Sequence, residues 1–120
     1  MDTRFWSLAD DLVAASEVVI DRPKGSRHPR MPDVVYPLDY GYLAQTTAID
    51  GEGVDVWRGS LPQRQVTGAI VTVDVAKRDA EVKLLIGCTP DEARLALATH
   101  SQPSQAAILV PRPESVPYVC

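Results

Sequence analysis

Residues 65–76, QVTGAIVTVDVA, constrain this chain most. They form its longest run of β-branched residues, and Val, Ile and Thr favour a pleated, packed surface. The polar link Lys77-Arg78-Asp79-Ala80 follows, then a second β-type run, EVKLLIG, at 81–87. A link this short predicts an antiparallel hairpin. Further short strands are expected at 17–21, 33–36, 42–48, 54–59 and 106–110, separated by turns at Pro37, Gly41, Gly51, Gly53 and Pro62. Phe5, Leu8, Ala9, Leu12 and Val13 recur at helical spacing and predict a short N-terminal helix capped by Asp2 or Thr3. Thr89-Pro90-Asp91-Glu92 opens a second helix near residues 90–100: Thr at the cap, Pro at the first position, acids in the first turn. Closely spaced strands with hairpin-length links favour a mainly β (α+β) fold, a small closed antiparallel barrel with two helices. With 120 residues and no linker or repeat, one domain over 1–120 is expected.

The net charge of -4 argues against a general nucleic-acid binder. No apolar run reaches the length of a membrane span, and the N-terminus lacks a signal-peptide layout. Cys88 and Cys120 form no metal or redox spacing, so two free thiols in a reducing cytoplasm are expected. Charge is uneven, however. Arg22, Lys24, Arg27 and Arg30 follow one another without an intervening acid.

The chemistry-bearing residues concentrate in 36–57, YPLDYGYLAQTTAIDGEGVDVW. Tyr36, Tyr40 and Tyr42 are followed by Asp50, Glu52 and Asp55 around two glycines. Hard cations such as Mg²⁺ take oxygen ligands of this kind, with waters and substrate phosphates completing the shell. A turn is needed to bring Asp55 near Asp50, because residues five apart on a straight strand face opposite ways. A solvated acidic turn fits the same spacing. On the hairpin, Glu81 and Lys83 share one face and by themselves read as an ordinary exposed ion pair. His28 and His100 form no ligand set.

Four pieces in order, EVVIDRPKGSRH, YPLDYGY, DGEGVDVW and DAEVKLL, resemble the soluble family I inorganic pyrophosphatases across residues 17–87. The resemblance implies an OB-like barrel with a metal-lined cavity that hydrolyses pyrophosphate, or a related phosphoanhydride, using Mg²⁺ with Mn²⁺ as substitute. It implies Asp50, Glu52 and Asp55 as metal ligands and catalytic groups, with Glu52 as general base. It further implies Glu81 and Asp21 as metal acids, Lys83, Tyr40 and Tyr36 as phosphate contacts, and a homo-oligomer. Arg30 is placed near a phosphate-binding lysine, Asp79 stands in for a hairpin-loop acid, and Arg112 for a late cation. The sequence departs from the family pattern at Glu52 (normally Asp), at Gly53 (normally Pro) and in a first hairpin cut to RHPRMPD. The family's later helical portion has no counterpart in these residues. The departures leave two alternatives: a non-catalytic metal- and phosphate-binding barrel, and a hydrolase of a larger phosphoanhydride.

Overall fold

The computed structural model describes residues 3–48 and 51–114. In chain order the elements are α1 (Arg4–Ala14), β1 (Val18–Arg22), β2 (Asp39–Leu43), β3 (Asp55–Arg58), β4 (Val66–Asp74), β5 (Asp79–Ile86), α2 (Pro90–Thr99) and β6 (Gln105–Pro111). The protein is mainly β, with one six-stranded sheet in the order β1-β2-β3-β5-β4-β6 and two helices.

The β4–β5 hairpin forms as its sequence dictates, with Val71 opposite Val82 and Asp74 opposite Asp79. Two details of the sheet differ from the sequence expectation. Its end strands, β1 and β6, are not joined to each other, so the sheet is open. It also contains one parallel pair, β3 with β5. Because β5 folds back between β3 and β4, β4 serves as the crossover that a parallel pair requires. Residues 33–36 form no strand. Pro29, Pro32 and Pro37 remove ladder donors around them, and only an isolated Arg27–Val35 bridge remains.

Alternation along the strands divides the core between the two faces of the sheet. On one face, α1 sets Trp6, Ala9 and Val13 against Leu43, Val56, Ala69 and Leu84. The buried stripe of α1 is rotated from the expected one: Phe5, Leu8 and Leu12 are exposed, because α1 covers only part of the sheet. Thr3 caps α1 without a side-chain hydrogen bond. On the other face, Trp57, Ile70 and Leu85 pack with Tyr36, Leu38 and the α2 residues Ala93 and Ala96. At the start of α2, Thr89 and Glu92 form a full capping box. Glu92 also accepts a hydrogen bond from Ser60 N–H, which ties the helix to the loop after β3. Such a cap is worth about 1 kcal/mol. Among the described residues no helix is long and apolar enough to cross a membrane.

Candidate active site

Pairing places Tyr40 opposite Trp57 and Tyr42 opposite Asp55, so all four side chains share the α2 face. Across the parallel pair, Trp57 lies opposite Leu85, which brings Lys83 and Glu81 to the same face. Gly41 is needed here, since a Cβ would drive into the Val19 carbonyl of β1. The result is a bonded group of four. Tyr40 donates to Asp55 Oδ2 at 2.7 Å. Lys83 Nζ donates to the same oxygen at 2.9 Å, to Tyr40 Oη at 3.0 Å and to Glu81 Oε2 at 3.1 Å.

Burial opposes the Lys83 ammonium, but Tyr40 and Asp55 outweigh it and hold the lysine charged well above its ordinary range. Burial pushes the Tyr40 phenol far above its usual value, so it stays a neutral donor. Tyr40 packs edge-on against Trp57 at 4.7 Å, and Tyr36 completes the aromatic trio.

Beside this group lies a cavity of about 370 Å³ lined by Asp21, Tyr40, Gly41, Tyr42, Glu52, Gly53 and Asp55. Asp21, Glu52 and Asp55, expected as metal-site acids, thus border one space, and Glu52 stands exposed at its edge. Glu81 reaches the group through Lys83. Asp50 lies outside the described residues. Among the described residues Asp55 Oδ1 has no hydrogen-bond partner. Its donor type suits a hard cation. Among the described residues, no three or more Asp, Glu, His or Cys side chains are grouped closely enough to hold a metal ion.

Gly53 also has a packing reason. A Cβ there would lie 2.8 Å from the Leu43 carbonyl oxygen and 2.8 Å from the Tyr42 ring. Glycine permits this close approach between the turn and β2.

The remaining sequence candidates lie away from the cavity lining. Tyr36 is buried beneath Tyr40 and stacks on His28. Arg30 is exposed on the loop after β1, its N–H bonded to His28 Nδ1. Asp79 sits opposite Asp74 at the hairpin end. Arg112 does not approach the cavity. It is buried and donates to both carboxylate oxygens of Asp10 and to the Val66 carbonyl, clamping α1 to the sheet.

Sequence reading passed over His100, which is buried under the site. Trp57 Nε1–H can only donate, so His100 Nε2 accepts it at 3.1 Å. Nδ1 then carries the hydrogen, facing Gln105 Oε1 at 3.3 Å. Burial, reinforced by the Lys83 charge, lowers the His100 pKa to about 4. A partner 43 residues away left no local signal.

No family model matches the chain, and no curated protein sequence matches it. Solved structures do. An inorganic pyrophosphatase from Neisseria gonorrhoeae superposes with a TM-score of 0.56 at 17% identity, covering 82% of this chain and 83% of that one. One from Helicobacter pylori gives 0.53 at 16% identity, covering 78% and 81%. At such low identity the likeness establishes architecture, and the chain has the fold of the inorganic pyrophosphatases.

Proposed function

We propose that this protein hydrolyses inorganic pyrophosphate to two phosphates with a divalent cation, Mg²⁺ or Mn²⁺. The observation that supports this is the cavity shared by Asp21, Glu52, Asp55 and Tyr40 beside a buried lysine, on a fold common to inorganic pyrophosphatases. Asp55, through its second carboxylate oxygen, would be one ligand of the cation, joined by Asp50 from its place in the sequence, with waters and substrate phosphate completing the shell; Asp21 and Glu52 border the same cavity. Such a cation supplies Lewis-acid charge that acidifies water and offsets phosphate charge. Glu52, exposed at the cavity edge, takes the proton of the attacking water. The Tyr40 hydroxyl and Lys83 fix the Asp55 carboxylate through its other oxygen. With two carboxylates and one ammonium, the Lys83 group keeps one net negative charge for a cation to meet. Cys88 is a free thiol whose pKa burial raises to about 12, an inert form that suits the reducing cytoplasm we assign to the protein.

Phosphate release from pyrophosphate by the purified protein with Mg²⁺ or Mn²⁺ tests the reading. Asp55→Asn is expected to reduce it at least about 100-fold, the loss typical of displaced catalytic groups. Absence of release from folded wild-type protein would sink the hydrolase reading.

One observation favours a second reading, a non-catalytic binder of metal and diphosphate. Lys83 already occupies one oxygen each of Asp55 and Glu81. Saturable Mg²⁺–diphosphate binding without turnover would select it. Faster turnover of nucleoside triphosphates than of pyrophosphate would instead select a larger phosphoanhydride as substrate.

A further inference from the structure

The two edges of the sheet are built differently. β1 is short, carries Asp21 and Arg22, and has an irregular register between Ile20 and Arg22. Charge and bulges of this kind are how sheet edges are kept from pairing with other chains. β6 has none of these protections. Its seven residues, QAAILVP, hold no charge, keep one unbroken register with β4, and place their only proline at the end.

The ladder shows which β6 groups are free. Val75 N–H donates to Ser104 O, and Arg112 N–H donates to Thr67 O. Alternation from those two bonds turns residues 106, 108 and 110 toward β4. The backbone groups of Ala107 and Leu109 therefore face outward. Gln105, next in that outward series, is already bonded to Gln102. No partner for the outward groups of Ala107 and Leu109 exists among the described residues.

Side chains reinforce the edge. Val82, Val71 and Ile108 lie directly across β5, β4 and β6 on the α1 face, with Ala80, Val73 and Ala106 in the next row. Val82, Val73 and Ile108 are 49%, 55% and 63% exposed. This apolar surface begins in a groove of about 620 Å³ beside Phe5, Leu8 and Leu12 and runs out to the β6 edge.

We propose that β6 is a self-association edge, pairing antiparallel with β6 of a second copy about a two-fold axis at Ile108. Ala107 then exchanges both backbone hydrogen bonds with Leu109 of the other copy, and the reverse, so four bonds form with no rearrangement of the β4 ladder. Only an antiparallel arrangement of identical strands is self-complementary about such an axis. The two Ile108 side chains meet as a non-hydrogen-bonded pair, with Cα atoms about 4.5 Å apart. The apolar row becomes continuous through both sheets: Val82, Val71 and Ile108 of one copy, then the same residues of the other. The interface is independent of the hydrolysis reading, since β6 contributes nothing to the cavity lining.

Sedimentation velocity tests the proposal. Wild-type protein is expected to form a dimer at micromolar to millimolar concentration. Ile108→Lys and Ile108→Glu each put like charges face to face at the axis and are expected to be monomeric. An equal mixture of the two is expected to return to the dimer. Ile108 is exposed, so both variants should fold, which circular dichroism checks. In a Cys120→Ser background, Ile108→Cys is expected to give a covalent dimer under mild oxidant, because the Cα spacing falls within disulfide reach. A wild-type monomer at millimolar concentration overturns the proposal. So does a dimer that survives both charge variants, or one lost only on Leu8→Lys in the groove.

Discussion

Arg112 and Lys83 are both buried cations bonded to carboxylates, and they sit at opposite ends of the same chemistry. Arg112 is enclosed by Asp10, which spends both oxygens on it, and by the Val66 carbonyl; Asp10 also accepts the Val66 N–H. Lys83 is nearly as deep, yet its partners reach outward, with side chains 28% and 15% exposed for Asp55 and Glu81. Among the described residues one Asp55 oxygen is left without a partner beside a cavity. A buried pair whose acceptors are consumed internally fastens elements together. One that keeps an acceptor facing a cavity can serve a ligand.

Removing each cation separates the two roles. Arg112→Ala strands the Asp10 carboxylate and is expected to cost about 3–5 kcal/mol in urea unfolding. Mg²⁺ should return none of it. Lys83→Met leaves Asp55 and Glu81 without their cation but closer to water, so the expected loss is smaller, about 1–3 kcal/mol. Here Mg²⁺ should restore part of the stability by taking the place of the ammonium. Equal responses of both variants to Mg²⁺ would erase the distinction.

A smaller effect concerns His100, which lies within the field of Lys83. Its folded pKa, about 4, is below the ordinary value of 6.5. Between those values the unfolded chain binds the proton more readily. Stability is therefore complete above pH 6.5 and falls as pH drops toward 4, by at most about 1.4 kcal/mol per pH unit. His100→Gln keeps an acceptor for Trp57 and should flatten this slope when thermal unfolding is followed from pH 6.5 to 5. An unchanged slope would assign the acid sensitivity elsewhere.

Much of this molecule is legible locally. The capping signal at Thr89 to Glu92 and the 65–87 hairpin need only neighbouring residues, and both appear as the sequence implies. Tyr40, Asp55, Glu81 and Lys83, singled out through the resemblance, lie in one bonded group; of its bonds only the Glu81–Lys83 ion pair is suggested by local spacing. What escaped depends on long-range pairing. Arg112 read as a spare cation because its acid lies 102 residues earlier. The buried side of α1 was misjudged because the apolar stripe does not say how much sheet lies beneath it. Residues 33–36 look extended, and surrounding prolines limit their pairing to a single bridge with the 25–28 loop.

The β3–β5 contact joins two antiparallel sets, β1-β2-β3 and β5-β4-β6, through only three residue pairs, against eight between β4 and β5. Such a narrow joint is where a sheet is expected to open locally before it unfolds as a whole. Tyr40 and Asp55 belong to one set, Glu81 and Lys83 to the other. Native-state hydrogen exchange should therefore show the amides of Trp57, Leu84 and Ile86, which alternation turns across the joint, opening together at lower free energy than those of 69–73. Each such opening would pull Lys83 away from Asp55, so the joint that assembles the site would also set how often it comes apart.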